Sequence, residues 1–349
     1  MSDKKLGVGI IGFGVSGKYF HAPFIHCSPD FELKAVISSR EEEIQALYPY
    51  VKTWSDPDRL FANKEIDLII VATPNTTHFD LGKRALESGK HVIIEKPFTP
   101  TSRETEELTA IARGKKLVLS VYHNRRWDGD FLTVKRIAET GLLGRIIEFE
   151  SHFDRYHPES DPQKWRFIDR PGSGLLFDLG THLIDQAVCL FGKPEAVWAD
   201  LRTHQDTCQV DDSFEVHLEY GKVKVTLKGS NLVRELGPRF IINGTKGSFI
   251  KYGLDPQEEK LRRGFIPDTN NLGKEDACMF GILNTEIDGL HFRGRVETIA
   301  GNYAGYFANI YNAITHNEEL IVKPEEAALI IEIIERAFES HRQKRILSL

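Results

Sequence analysis

Cysteine is scarce in this chain. Cys27, Cys189, Cys208 and Cys278 are scattered through 349 residues, and no CxxC pair occurs. That disfavours a disulfide framework or a zinc cluster and makes the cytoplasm the expected location. Long apolar runs are missing too. A stretch such as Ile66 to Ala72 falls far short of the roughly 20 residues of a transmembrane helix. No excess of basic charge is present: 45 Lys and Arg stand against 51 Asp and Glu, a formal charge of −6. Electrostatic capture of nucleic acid or of an anionic membrane is therefore not expected. Met1-Ser2-Asp3-Lys4-Lys5 runs directly into a strand-like segment, so no signal peptide is expected. Internal repeats and low-complexity linkers are also lacking. What remains is ordinary globular composition, 41% hydrophobic and 28% charged. The length suits two domains of roughly 150 residues rather than one large core.

The first third alternates strand and helix. Leu6 to Ile11, Phe31 to Ser38, Asp67 to Ala72, His91 to Ile94 and Leu117 to Val121 read as short apolar strands. Helical stretches follow the first strand as far as Cys27 and recur over Thr77 to Ser88 and Arg103 to Arg113. This alternation predicts βαβ units around a parallel sheet covered on both faces. After residue 122 the pattern changes. Arg145 to Arg155, Ala196 to Thr203, Ser213 to Tyr220, Lys222 to Leu232 and Phe240 to Ile250 are longer alternating segments, the signature of an antiparallel sheet with one wet face. Helices are expected over Asp130 to Thr140, Leu175 to Phe191, Tyr303 to Thr315 and Glu325 to Ser340, and Pro256 to Lys274 reads as a surface loop. The expected organisation is an α/β dinucleotide-binding domain over 1–122 and an α+β domain over 123–349, with the C-terminal helix able to pack back on the first.

Gly12-Phe13-Gly14-x-x-Gly17 follows the first strand and opens the first helix. In a dinucleotide-binding loop the first glycine makes the tight turn, the second admits the pyrophosphate, and the third lets helix and strand pack closely. The alternative is a merely structural turn. The second strand ends in Ser38-Ser39-Arg40, where an NAD-binding chain carries an Asp or Glu for the ribose. Two hydroxyls and a guanidinium suit a 2′-phosphate, favouring NADP(H) over NAD(H). The alternative keeps Arg40 as a solvated residue and gives the ribose to Glu41 or Glu42.

Ligands of doubly wound folds lie beyond the carboxyl ends of the strands. Three segments fall there: Thr73-Pro74-Asn75 with His78, Glu95-Lys96-Pro97, and Tyr122 to Trp127. An ordinary Lys-Pro turn is the plain alternative for Lys96. In the second domain Asp178, His182 and Asp185 are spaced i, i+4, i+7, which places them on one helical face beside the apolar stripe of Leu179, Leu183, Ala187 and Val188. Asp178 as a helix cap and His182 as a core histidine remain open readings. No third and fourth ligand accompanies the Asp-x-x-x-His pair, so no metal is expected.

These motifs together resemble the Gfo/Idh/MocA family (glucose–fructose oxidoreductase, inositol dehydrogenase, rhizopine catabolism protein). The glycine loop, Thr73-Pro74-Asn75 with His78, Gly89-Lys90-His91-Val92, Glu95-Lys96-Pro97 and Asp178-Leu179-Gly180-Thr181-His182 match in order and spacing over nearly the whole chain. Ser120 to Asp128, Glu150 to Arg155 and Phe249 to Glu258 look like the branch holding NADP-dependent scyllo-inositol dehydrogenases. The resemblance implies a Rossmann domain followed by a large, mostly antiparallel sheet that serves as a homodimer or homotetramer interface. It implies Lys96, Asp178 and His182 as catalytic residues, with a Lys-Pro bond that is often cis. The glycine loop, Ser38, Ser39, Arg40, Thr73, Pro74, Asn75, His78, Glu95 and Lys96 would hold the cofactor. Tyr122, Asn124, Arg125, Asp154, Arg155 and Trp165 are candidates for contacting a polyol or sugar, and Asn75 is a further one. Competing readings are a non-catalytic dinucleotide or sugar sensor on the same fold, and a biliverdin or dihydrodiol type of reductase.

Overall fold

The computed structural model describes residues 5–159, 167–267 and 271–349. Two compact units emerge, and neither is one continuous block. The first comprises residues 1–124, 257–272 and 302–328, and the second 125–256, 273–301 and 329–349.

In the first unit, β1 (Leu6–Ile11), β2 (Phe31–Ile37), β3 (Lys52–Trp54), β4 (Leu68–Val71), β5 (His91–Ile94) and β6 (Leu119–Val121) form a parallel sheet of order β3-β2-β1-β4-β5-β6. β1, β4 and β6 are buried along their whole length, as strands covered on both faces must be. The order reverses between β1 and β4, which makes their carboxyl ends the crevice where such sheets take ligands. β3 and the short helices Glu41–Leu47 and Asp58–Ala62 lie where the sequence pattern was too brief to read. Helix Ala304–Thr315 completes the unit, with Phe307 stacked on Phe24 at 5.3 Å.

In the second unit a nine-stranded sheet runs β14-β13-β12-β11-β7-β10-β9-β8-β15. Its strands are β7 (Ile146–His152), β8 (Ala196–Arg202), β9 (Ser213–Tyr220), β10 (Val223–Ser230), β11 (Phe240–Gly244), β12 (Gly247–Lys251), β13 (Gly281–Ile287), β14 (Leu290–Val296) and β15 (Leu347–Ser348). All pairings are antiparallel except β7 with β10. One face carries Phe149, Phe214, Val216, Leu227 and Phe240, all buried. Helices cover it: Phe131 of Gly129–Glu139 meets Phe240, Phe191 of Thr181–Phe191 meets Phe149, and Ser340 of Pro324–Gln343 accepts the Ala199 N–H. Within this unit the other face carries Trp198, Glu215, His217 and Ile241, none of them fully buried.

Two expectations are corrected, and one hairpin is added. Phe240 to Ile250 is not one strand but the hairpin β11–β12, turned at Gly244-Thr245-Lys246-Gly247. The stretch expected as a loop from Pro256 contains helix Gln257–Arg262. The hairpin β13–β14 was not anticipated, although Asp288 and Gly289, both with positive φ, are the Asp-Gly turn that such hairpins favour.

Candidate active site

The glycine loop has the geometry its spacing requires. Gly12 has φ +101°, and a Cβ there would lie 2.5 Å from the Ala72 carbonyl, so the loops after β1 and β4 meet at the switch point. A Cβ on Gly17 would lie 2.2 Å from the Gly12 carbonyl. Around Gly14 the space is open, with no atom within 4 Å of a built Cβ. Two glycines are thus demanded by packing, and the third leaves room for a group to approach the backbone, which fits a dinucleotide pyrophosphate. Gly17–His21 forms a π-helical turn before helix Ala22–Cys27, a distortion frequent at functional sites. Phe13 points inward, buried against Tyr48, so only its backbone is free to face a ligand.

At the end of β2 the Arg40 N–H donates to Ser38 Oγ at 3.1 Å, while the Arg40 side chain remains 56% exposed. At the end of β4, Thr73 Oγ1 and Thr77 Oγ1 lie 2.6 Å apart and Asn75 is buried. His78 joins two loops. Its Nε2 faces the Thr73 carbonyl at 2.9 Å, and its Nδ1 faces the carbonyls of Pro97 and Phe98 at 3.0 and 3.1 Å. Burial pushes its pKa below the usual histidine value despite these carbonyls.

Glu95 lies buried at the end of β5. Its carboxylate accepts from the Ser16 hydroxyl, from His21 Nε2 at 2.8 Å and from the Lys96 N–H at 3.0 Å. Burial alone would raise this carboxyl. The hydrogen bonds from His21 and Ser16 and the charge of Lys96 outweigh it and hold the group below its ordinary value. The Lys96–Pro97 bond is cis. Tyr122, a substrate candidate from the sequence, belongs instead to the core: its hydroxyl donates to the Phe20 carbonyl at 3.0 Å and its ring lies 4.3 Å from that of His21.

In the second unit, Asp178 and His182 do not lie on one regular helix. Leu176–Gly180 is a second π-helical turn, and the α-helix begins only at Thr181. The wider turn changes the angular register that an i, i+4 spacing assumes. His182 is buried and Asp178 partly exposed. The turn is anchored from its start: Asp211 Oδ2 accepts the Leu176 N–H at 2.7 Å, and Gly174, with φ +99°, passes so close that a Cβ would lie 2.0 Å from Asp211 Oδ1. Burial pushes the Asp211 carboxyl up to about 7. Asp185, third in the expected stripe, is held by a buried guanidinium. Its carboxylate takes Arg126 Nε at 3.0 Å and Arg126 Nη2 at 2.7 Å, with both side chains buried.

The remaining candidates divide. Arg125 pairs with Asp128 at 3.1 Å and lies over the Phe153 ring, an internal tie rather than a free donor. Arg155 covers the same ring, 4.9 Å from its centroid. Asp154 Oδ2 lies 3.5 Å from His152 Nδ1, and Asn124 is buried at the start of a short 3₁₀ turn. Trp165 lies outside the described residues. Sequence reasoning missed Ser16, His21, Lys18, Glu43 and Asp211. Of these, only Ser16 and Lys18, flanking Gly17, carried a local signal.

Comparison with known proteins agrees with these features. Residues 6–123 match the Gfo/Idh/MocA oxidoreductase family, NAD-binding Rossmann fold, and residues 135–349 match the oxidoreductase family, C-terminal alpha/beta domain. The chain is 37% identical to the scyllo-inositol 2-dehydrogenase (NADP(+)) IolW of Bacillus subtilis, covering 98% of this chain and 95% of that protein. It is 43% identical to the oxidoreductase YdgJ of Escherichia coli K12, over the whole of both chains. The solved structure of yvaA from Bacillus subtilis superposes with a TM-score of 0.96 at 36% identity, covering 99% of this chain and 98% of that one. The parallel sheet with its glycine loop, the mostly antiparallel second sheet and these full-length matches agree: the chain belongs to the Gfo/Idh/MocA family of oxidoreductases.

Proposed function

We propose that this chain is an NADP(H)-dependent dehydrogenase that interconverts a secondary alcohol and a ketone on a cyclitol or sugar, acting in the cytoplasm. The observation that carries this reading is the 37% identity, over 98% of the chain, to a scyllo-inositol 2-dehydrogenase that uses NADP(+). The end of β2 supports the cofactor preference, because Ser38, Ser39 and Arg40 offer donors and one cation where a ribose-binding carboxylate would repel a 2′-phosphate.

The nicotinamide, when bound, exchanges the hydride. The chain's own residues handle orientation and the proton. Lys96 hydrogen-bonds the reacting oxygen and stabilises charge developing there. His182 takes the hydroxyl proton in oxidation and returns it in reduction, since an imidazole titrates in the working range. Asp178 holds the substrate and biases protonation nearby. The half-exposed face of the nine-stranded sheet, with Trp198, His217 and Ile241, is proposed as the surface that pairs with a second copy. Light scattering checks this, and a solution mass of 39.7 kDa at micromolar concentration would refute it.

Cyclitols and aldoses screened against NADP⁺ and NAD⁺, followed by nicotinamide absorbance, test the reaction. His182→Ala should then lower kcat by about 10²- to 10⁴-fold. It should leave cofactor affinity unchanged and erase the pH dependence contributed by the base. Near-normal turnover with the same pH profile would reduce His182 to a core residue.

A further inference from the structure

At the carboxyl end of β2 one carboxylate spans two cations. Lys18 Nζ donates to Glu43 Oε1 at 2.7 Å, and Arg40 Nη1 lies 3.5 Å from Glu43 Oε2. Lys18 directly follows Gly17, the last glycine of the loop, and its N–H donates to the Gly14 carbonyl at 3.0 Å, so its backbone belongs to the loop itself. Glu43 is in the first turn of helix Glu41–Leu47, immediately beyond Ser38-Ser39-Arg40. An ammonium from the glycine loop and a guanidinium from the end of β2 thus converge on one anionic group.

Exposed ion pairs add little to stability, so stability gives no strong reason for this convergence. Its chemistry does suit a phosphate monoester. Such a group presents three acceptor oxygens and a charge of about −1.5 to −2, against −1 for a carboxylate. It can therefore displace Glu43 from both cations, whereas the uncharged 2′-hydroxyl of NAD(H) cannot. Resting on the NADP(H) reading above, we infer that Lys18 is a second cation for the 2′-phosphate and that Glu43 is a resident competitor for it. Together Lys18, Arg40 and Glu43 then set the discrimination between NADP(H) and NAD(H). Arg40 alone would supply the attraction; the added elements are the Lys18 contact and the competing carboxylate.

The test uses 2′,5′-ADP and 5′-AMP as probes, titrated calorimetrically at low salt into the full chain and into Arg40→Ala, Lys18→Met, Lys18→Arg and Glu43→Gln. Lys18→Met should weaken 2′,5′-ADP about tenfold or more, the worth of a charge-assisted hydrogen bond, with 5′-AMP held within about twofold. Lys18→Arg should recover most of that loss. Glu43→Gln should tighten 2′,5′-ADP by about threefold to tenfold and leave 5′-AMP unchanged, because a neutral amide competes poorly for cations. Thermal unfolding checks that each variant remains folded. Should the wild type bind 5′-AMP as well as 2′,5′-ADP, the NADP(H) reading fails and this inference with it. Should the wild type prefer 2′,5′-ADP and Arg40→Ala abolish that preference while Lys18→Met and Glu43→Gln leave it within about twofold, the inference alone fails. Weaker binding of 2′,5′-ADP by Glu43→Gln would overturn the role of competitor.

Discussion

Glu95 and His21, 74 residues apart in sequence, share a buried hydrogen bond at 2.8 Å. The same carboxylate takes the Ser16 hydroxyl and the Lys96 N–H, so one side chain ties the glycine loop, the first helix and the lysine-bearing strand end together. Glu95→Gln keeps the shape but turns an amide N–H₂ toward a donor. We expect a loss of about 1–3 kcal/mol, the cost of leaving a buried polar group unmatched, measured by urea unfolding at neutral pH. The acid limb gives a second check. Because the folded carboxyl is held below its ordinary value, its contribution is present above the unfolded pKa and lost as pH falls through the folded one. The wild-type advantage over Glu95→Gln should therefore shrink on acidification, and an advantage independent of pH would contradict this.

The glycines of the loop should separate folding from binding. A methyl at Gly17 meets the Gly12 carbonyl, which is backbone and cannot turn aside. Gly17→Ala should cost about 2 kcal/mol or more in unfolding free energy. A methyl at Gly14 meets nothing in the protein. Gly14→Ala should unfold within about 0.5 kcal/mol of wild type, as an unobstructed surface change does. It should nonetheless lose most of its cofactor affinity, read by nucleotide fluorescence. Normal nucleotide binding by a folded Gly14→Ala would show that the open space serves something else.

Arg126 and Asp185 form a bidentate pair with both side chains buried. Arg126→Met removes the bidentate guanidinium from a buried carboxylate, and we expect a loss of about 3–5 kcal/mol. Arg126→Met with Asp185→Leu should recover most of it. A double variant as unstable as the single one would mean that packing of the guanidinium, not charge, carries the effect.

Asp211 sets a different pH window. Burial pushes this carboxyl up to about 7 in the folded state, above its unfolded value, although the Leu176 N–H donates to it. Its stabilising effect is complete below the unfolded pKa and declines as pH rises through the folded one. Between about pH 4 and about pH 7 the wild type should lose stability relative to Asp211→Asn, whose amide oxygen can still accept the Leu176 N–H. Denaturant midpoints of both proteins across that range would decide, and parallel curves would mean that Asp211 titrates as an ordinary aspartate.

Much of the architecture was legible without coordinates. The alternation in Phe214 to Tyr220 reappears as β9, with Phe214, Val216 and Leu218 buried, because a strand's period of two is a local property. The glycine spacing likewise specified the loop, with Gly17 held against the nearby Gly12 carbonyl, although the carbonyl that excludes a side chain at Gly12 belongs to Ala72 and came only with the fold. Asp178 and His182, expected on one regular helix, fall on either side of its start, since a π-helical turn has no clear sequence mark. The β13–β14 hairpin was obscured because one of its two strands, Leu290–Val296, lacks a buried face to impose alternation.

What the chain determined by itself was therefore whatever depends on a few consecutive residues: strand period, glycine turn, and the basic end of β2. The partners of buried polar groups were decided only on folding. Glu95 with His21 and Arg126 with Asp185 are joined across 74 and 59 residues. A buried carboxylate must find donors wherever the packed chain brings them. No spacing rule reaches that far: Tyr122, a substrate candidate in sequence, gives its hydroxyl to the Phe20 carbonyl across 102 residues, and Asp185, third in the expected helical stripe, is bound to Arg126.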